Sequence, residues 1–324
     1  MSENHILYSQ HNPRFKLSSY TQETLCWVGQ ECVFDKASEA LEKLCHLQIS
    51  DKQVERVCHY YGGLLEQEML EDIATGTVNQ DTEVQEETYV MLDGAQFFFR
   101  EEGWKEVKLG RLFSANNHLP ESAQRNWVRD STYVVHKGSS DVFLEKLSFY
   151  IDSLKETVFI ADGAPWIWRW VDAFYPERVQ ILDFYHAVEH LASFGKCHFK
   201  ENNEYHTFLT TTKEKLLNDG IAEVIMELEA MKPSTKTGKE ELRKLLNYFR
   251  QHQKRMYYKT FKDKGYFIGS GAIEAAHRHV LQQRLKLSGQ RWTEQGFQAV
   301  ANLRACYKSK QQCKIKEWAL TGAA

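Results

Sequence analysis

Three carboxylates stand where the sequence begins or ends secondary structure: Asp93 in YVMLDGA, Asp162 in VFIADGAP and Glu274 in GSGAIEAAHRH. Val158 to Ala161 is a short unbroken apolar run, the pattern of a strand buried on both faces, and Gly163 and Pro165 stop it directly after Asp162. Trp166 to Phe174 reads as a helix with Pro165 in its first turn, and Val179 to Leu182 returns to strand before Asp183. A strand-helix-strand crossover predicts a parallel pair, and in open sheets chemistry gathers at the carboxyl ends of the strands. Asp is also a turn former and helix cap. For Asp183, which opens a helix at Phe184, cap and site readings stand level; for Asp162 the site reading is preferred. Tyr89 to Leu92 has the same buried-strand pattern and ends in Asp93-Gly94. Ser270 is placed to cap a helix from Gly271 to about Leu287, with Glu274 near its first turn, where a carboxylate also complements the helix dipole.

Three carboxylates of this kind suit phosphodiester chemistry. Hard oxygen ligands can hold two Mg²⁺ or Mn²⁺ ions about 3.5 to 4 Å apart, one activating the attacking hydroxyl and one the leaving oxygen. His277 and Arg278 follow Glu274 by three and four positions, on or beside its helix face, where they either meet a scissile phosphate or line a solvated face. Arg284, Lys286 and Arg291 fit a stripe that tracks a nucleic-acid backbone. Trp292 can stack on an unpaired base, although core packing is the commoner fate of such a residue. His186, three residues after Asp183, reads as a hydrogen-bonded partner rather than a ligand.

Positioning these groups calls for an α/β domain with helical additions. Residues 1–63 form an N-terminal helical region, in which Ser38 to Cys45 and Asp51 to Tyr61, with Ser50 as the second N-cap, resemble a helix-turn-helix or a plain helical hairpin. Residues 64–88 read as an acidic stretch turning from helix to linker, with eight acidic residues and no Lys or Arg. The first part of the α/β core covers 89–195, with three candidate antiparallel strands between Tyr89 and Phe113, or two with a bend, then a strand Thr132 to His136 and a helix Ser140 to Leu154. Residues 196–264 are a strand-free helical insertion, and 265–324 bring the last core helix and basic C-terminal helices. Ala275 to Lys316 holds nine Lys or Arg against one Glu, the charge of an anion-binding surface.

With 324 residues, 42% hydrophobic and 26% charged, the chain has the composition of a globular protein. It contains no apolar run of eighteen residues and no apolar stretch at its start, so neither a membrane partner nor secretion is expected. Seven cysteines, an odd number without a CxxC pair, point to the reducing cytoplasm and away from structural zinc.

YVMLDGA, WKEVKLG, IADGAPWIWRW, ILDFYHAVEHL and GSGAIEAAHRHVLQQRLKLSGQRW together resemble insertion-sequence transposases of the DDE class, most nearly the ISKra-type group, over about Tyr89 to Lys308. The resemblance implies an RNase H-like fold, with Asp93, Asp162 and Glu274 as the metal-binding triad for two Mg²⁺ or Mn²⁺ ions. It implies a supporting role for Asp183 and His186 as an Asp-x-x-His element. The partners would be double-stranded DNA, as element ends and target, and further copies of the chain assembled on it. The reaction would be metal-dependent strand cleavage and transfer, without a covalent enzyme intermediate. A transposase-derived DNA-binding protein that no longer cuts is the alternative. A sugar hydrolase using a carboxylate pair would have no use for the basic tail.

Overall fold

The computed structural model describes residues 11–12, 14–77, 87–122 and 125–322. A five-stranded mixed sheet flanked by helices organises it, with strand order β3-β2-β1-β4-β5 for β1 Thr88–Phe99, β2 Gly103–Ser114, β3 Thr132–Lys137, β4 Thr157–Ala161 and β5 Val179–Leu182. The chain divides into two compact units, one of Met1–Thr88, Asp93–Lys155 and Ala272–Ala324, the other of Tyr89–Leu92 and Glu156–Gly271.

In the first unit, helices α1 Ser19–Glu31, α2 Phe34–Cys45 and α3 Asp51–Thr75 start at side-chain caps or stop at left-handed residues. Ser18 and Ser50 each accept a backbone N–H three residues on, at 3.2 Å, and His46 (φ 55°) ends α2. Leu25, Leu41, Val54, Val57 and Tyr61 share one core with Leu303, Cys306, Ile315 and Ala319. The N-terminal helices are thus packed on the C-terminal helices α12 Glu294–Lys308 and α13 Cys313–Thr321. Residues 64–75, read as the start of an acidic linker, continue α3; residues 78–86 of that stretch lie outside those described. Amphipathic packing carries the helix through its acidic turns.

Of the two readings for Tyr89 to Phe113, three strands or two, the second holds: β1 and β2 are two long strands joined at a turn where Gly103 (φ 71°) is left-handed. Asp93 therefore lies inside a strand, not at its end. Asp93-Gly94 is extended as part of β1, and a Cβ on Gly94 would stand 2.5 Å from Glu106 Oε1, so the glycine makes room for a neighbour and does not serve a turn. β3 lies antiparallel to β2, from Val107 opposite Lys137 to Leu112 opposite Thr132, and α4 Ser140–Ile151 follows, capped by Ser139.

In the second unit β4 and β5 are parallel, in register from Val158 opposite Val179 to Ala161 opposite Leu182, joined by α5 Pro165–Phe174 as the sequence predicts. The buried Arg255 ties this crossover down: it reaches both oxygens of Asp172 on α5 at 2.6 and 2.7 Å, Gln180 on β5 at 2.9 Å, and the Trp168 ring. Helices α6 Phe184–His198, α7 Asn202–Leu217, α8 Ile221–Ala230, α9 Lys236–His252 and α10 Tyr258–Asp263 follow, with no strand among them. No helix among the described residues is long and apolar enough to cross a membrane.

The tightest helix contact is α3 on α12, where a Cβ on Gly62 would stand 2.1 Å from the Ala299 carbonyl oxygen. Backbone cannot yield as a side chain can, so Gly62→Ala should lower unfolding stability by about 1 to 3 kcal/mol in urea denaturation. A change within about 0.5 kcal/mol would show that the crossing has slack.

Candidate functional site

In the second unit, Asp162 follows β4 directly, at a strand's carboxyl end as the sequence places it. Its Oδ1 accepts the Ala164 N–H at 3.0 Å and its carbonyl accepts the Trp168 indole N–H at 2.5 Å, so it also forms the turn that starts α5. A Cβ on Gly163 would stand 2.0 Å from the Tyr248 ring, which lies against this turn and stacks on His190 with ring centroids 4.2 Å apart.

Asp183 follows β5 and has no solvent exposure. Oδ1 accepts the N–H groups of Tyr185 (2.5 Å) and His186 (3.0 Å) at the start of α6; Oδ2 accepts the Ser270 N–H (2.6 Å) and the Ser270 hydroxyl. Ser270, expected to cap the following helix, gives its hydroxyl to this carboxylate. Of the two readings for Asp183, the cap is what the side chain does, with both oxygens taken by protein donors. Burial alone would raise its pKa; hydrogen bonds from His186 and Ser270 outweigh that and hold it below the usual carboxylate range.

His186 Nδ1 stands 3.7 Å from Asp183 Oδ2, an ion-pair distance rather than a hydrogen bond. Its interaction with Asp183, supported by the charge of Asp162, raises the imidazole pKa to about 9 against the opposing effect of burial. His190, whose pKa is lowered by burial and by the charge of His186, stays neutral when His186 is charged. A neutral and a charged imidazole therefore flank the Asp162 turn.

In the first unit, Asp93 and the helix bearing Glu274 come together. That helix, α11, runs as Gly271–Ala276, widens into a π-helix at His277–Gln282 and closes with Gln283–Leu285. A π-segment was not legible in the sequence, and such segments collect at functional sites. His277, 3% exposed, places Nε2 3.3 Å from Asp93 Oδ2, while Asp93 Oδ1 accepts the Gly94 N–H at 2.7 Å. Burial lowers the His277 pKa to about 4, so the side chain is a neutral neighbour of Asp93; the expectation that it meets a phosphate is corrected by this burial. Glu274, one turn earlier, is exposed, as is Arg278.

The predicted DNA contacts divide by burial. Lys286 and Arg291 are exposed. Arg284 is 1% exposed, donating from Nε to the Gly29 carbonyl at 3.2 Å with its guanidinium 4.8 Å from the Phe34 ring; this corrects its place in a backbone-tracking stripe. Burial lowers its pKa to about 10. Trp292 is packed: its indole N–H reaches the Leu285 carbonyl at 2.9 Å, its backbone bridges Phe99, and it meets Phe297 edge-on. The packing reading of Trp292 holds, with the residue half-buried.

Asp93 and Glu274 lie in the first unit and Asp162 in the second, and each carries the oxygen donors that hard divalent cations prefer. Among the described residues, no three His, Cys, Asp or Glu side chains are gathered closely enough to hold a metal ion.

Residues 16–320 match the profile of the Uncharacterised protein family (UPF0236), and the chain belongs to that family. Compared with curated proteins, it matches none.

The Asp183–His186 pair should appear as an imidazole titrating near pH 9 by NMR and falling toward 6.5 in Asp183→Asn. A folded-state pKa raised above the unfolded value contributes stability that is complete below about pH 6.5 and lost as the pH rises through about 9. The stability advantage of wild type over His186→Gln should therefore shrink across that window; a constant difference would rule out the charge interaction. Arg284→Met should weaken folding by about 1 to 3 kcal/mol, through the stranded Gly29 carbonyl, and leave the salt dependence of any DNA binding unchanged.

Proposed function

We propose that this protein is a DDE-class transposase of the insertion-sequence type, with an RNase H-like catalytic core that cleaves and transfers DNA strands. The observation that carries the reading is the sheet order β3-β2-β1-β4-β5, with Asp93 on the central strand and Asp162 directly after the strand beside it. β2 and β3 pair antiparallel, and β4 and β5 form the parallel crossover that the sequence predicts. Support comes also from the Asp93–His277 contact, which joins the first aspartate to the helix carrying Glu274.

On this reading Asp93, Asp162 and Glu274 would hold Mg²⁺ or Mn²⁺. When bound, two such ions activate the attacking oxygen and stabilise the leaving one. Water or a DNA 3′ hydroxyl attacks phosphorus, the bond to the leaving oxygen breaks, and no protein atom becomes covalently attached. His277 steadies Asp93 as an uncharged neighbour. Asp183 fixes the start of α6, and the His186 cation it sustains acts on the anionic substrate or on Asp162 by charge alone. Arg278, exposed one turn after Glu274, offers a guanidinium to a phosphate. Assembly of several copies on double-stranded DNA belongs to the same reading.

One observation favours a second reading, a transposase-derived DNA-binding protein that no longer cuts: the described residues contain no tight three-ligand group. The two readings part on one experiment. Asp162→Asn keeps the shape and the turn hydrogen bonds, so folding and DNA binding should persist. Loss of a metal-ligating charge should cost about 3 kcal/mol or more, roughly a hundredfold in rate. The measurement is Mg²⁺- or Mn²⁺-dependent nicking of DNA carrying the element's end, beside a gel shift. Equal cutting by the variant would remove Asp162 from the catalytic set; no cutting by the wild type, with binding intact, would favour the second reading.

A further inference from the structure

Trp104 opens β2 and is 61% exposed, although a side chain of its size normally contributes heavily to a core. It stands edge-on to Phe98 of β1, ring centroids 5.6 Å apart, beside the turn of the β1-β2 hairpin. Cations stand beside these rings. Lys286 Nζ lies 5.8 Å from the Trp104 ring centroid and 5.5 Å from that of Phe97, and the Arg291 guanidinium lies 5.8 Å from Phe98. Arg100 donates from Nε to the Arg291 carbonyl at 3.1 Å.

This arrangement is held rather than loosely collected. The Arg100 N–H reaches the Trp292 carbonyl at 2.9 Å, and the Trp292 N–H reaches the Phe98 carbonyl at 3.3 Å, so the segment bearing Lys286 and Arg291 is hydrogen-bonded to the end of β1. The nearby carboxylates are already engaged: Glu102 pairs with Lys137 and Lys105, and Glu106 with Lys108. Glu101 is the acidic exception at the hairpin tip. Arg100, Lys286 and Arg291 are all exposed.

An exposed aromatic ring with cations beside it matches the chemistry of an unpaired nucleotide, whose base stacks on the ring while its phosphates meet the charges. A duplex offers the same phosphates but hides the base faces. We infer that Trp104, with Arg100, Lys286 and Arg291, is a stacking platform for an unpaired DNA base. The inference rests on the reading of the chain as a DNA-acting protein and adds that it holds single-stranded or frayed DNA. In that role Trp104 takes the place that the packed Trp292 cannot fill.

The test titrates the full chain against a labelled oligothymidylate and, separately, a blunt duplex, at each of several salt concentrations. Trp104→Ala should weaken oligothymidylate binding about tenfold or more and change duplex binding less than about twofold, while Trp104→Phe, which keeps a ring face, should retain most of the affinity. Joint replacement of Arg100, Lys286 and Arg291 by Gln should weaken both substrates and flatten the salt dependence. Trp104 is a surface residue, and an unchanged thermal unfolding curve for each variant confirms that folding is intact. Wild-type oligothymidylate affinity in Trp104→Ala, or equal losses in the Ala and Phe variants, would overturn the inference while leaving the transposase reading in place. Failure of the wild-type chain to bind either DNA would overturn both. Loss of self-association in Trp104→Ala with unchanged DNA affinity would assign the patch to a contact between copies of the chain, and overturn the inference.

Discussion

An ionised carboxylate with no access to water is tolerable only if protein dipoles replace its hydration, and Asp183 meets that condition with four donors. Two come from the first turn of α6, where backbone N–H groups have no helical partner, and two from Ser270. One side chain thereby fixes three things in the second unit: the end of β5, the direction of α6, and the segment leading into α11. The Phe184 N–H, bonded to the Ile268 carbonyl at 2.9 Å, adds a backbone tie to the same segment. Replacing one oxygen by an amide NH₂ would turn a donor toward N–H groups that have nothing else to bind, so a change here costs more than at an exposed cap.

That buried charge also sets the electrostatics around it. His186 is held as a cation because Asp183 is held as an anion, and the neighbouring His190 is held neutral partly because His186 is charged. Asp162 lies within the field of both imidazoles. Functional sites commonly concentrate such shifts, although structural ion pairs produce them too.

In the first unit the basic C-terminal segment serves two purposes. Arg304 is 1% exposed and donates to the carbonyls of Gln30, Val280 and His279, so it pins α1 and the π-helical stretch to α12. With Arg284 on Gly29, two of the nine basic residues are cross-braces. The carbonyls of His279 and Val280 belong to the π-helix, whose wider turns leave such acceptors without their usual partner four residues on. The cations left outside, Arg278, Lys286 and Arg291 among them, are the ones available to an anionic partner.

Local sequence determined the elements. The apolar run before Asp162, Pro165 at a first helical turn, the return to strand before Asp183, Ser50 as a cap and the strand-free helical stretch all stand as the residues imply, because each depends on backbone sterics and hydrophobic period within a few residues. What the tertiary structure decided is where each polar group points. Asp93-Gly94 reads as a turn until Glu106 on the partner strand fills the space over the glycine. Arg284 and Lys286 are two residues apart and chemically alike, yet one braces α1 and the other faces solvent. Trp292 and Trp104 are both tryptophans, yet one is held by Leu285 and Phe297 and the other is exposed. A helix that shifts from α to π register at His277 rotates every later side chain, and no short-range pattern records the shift. Burial and partnership come from other elements, as far off as Gly29 is from Arg284, so the energy that assigns a charge to brace or to surface is absent from the local sequence.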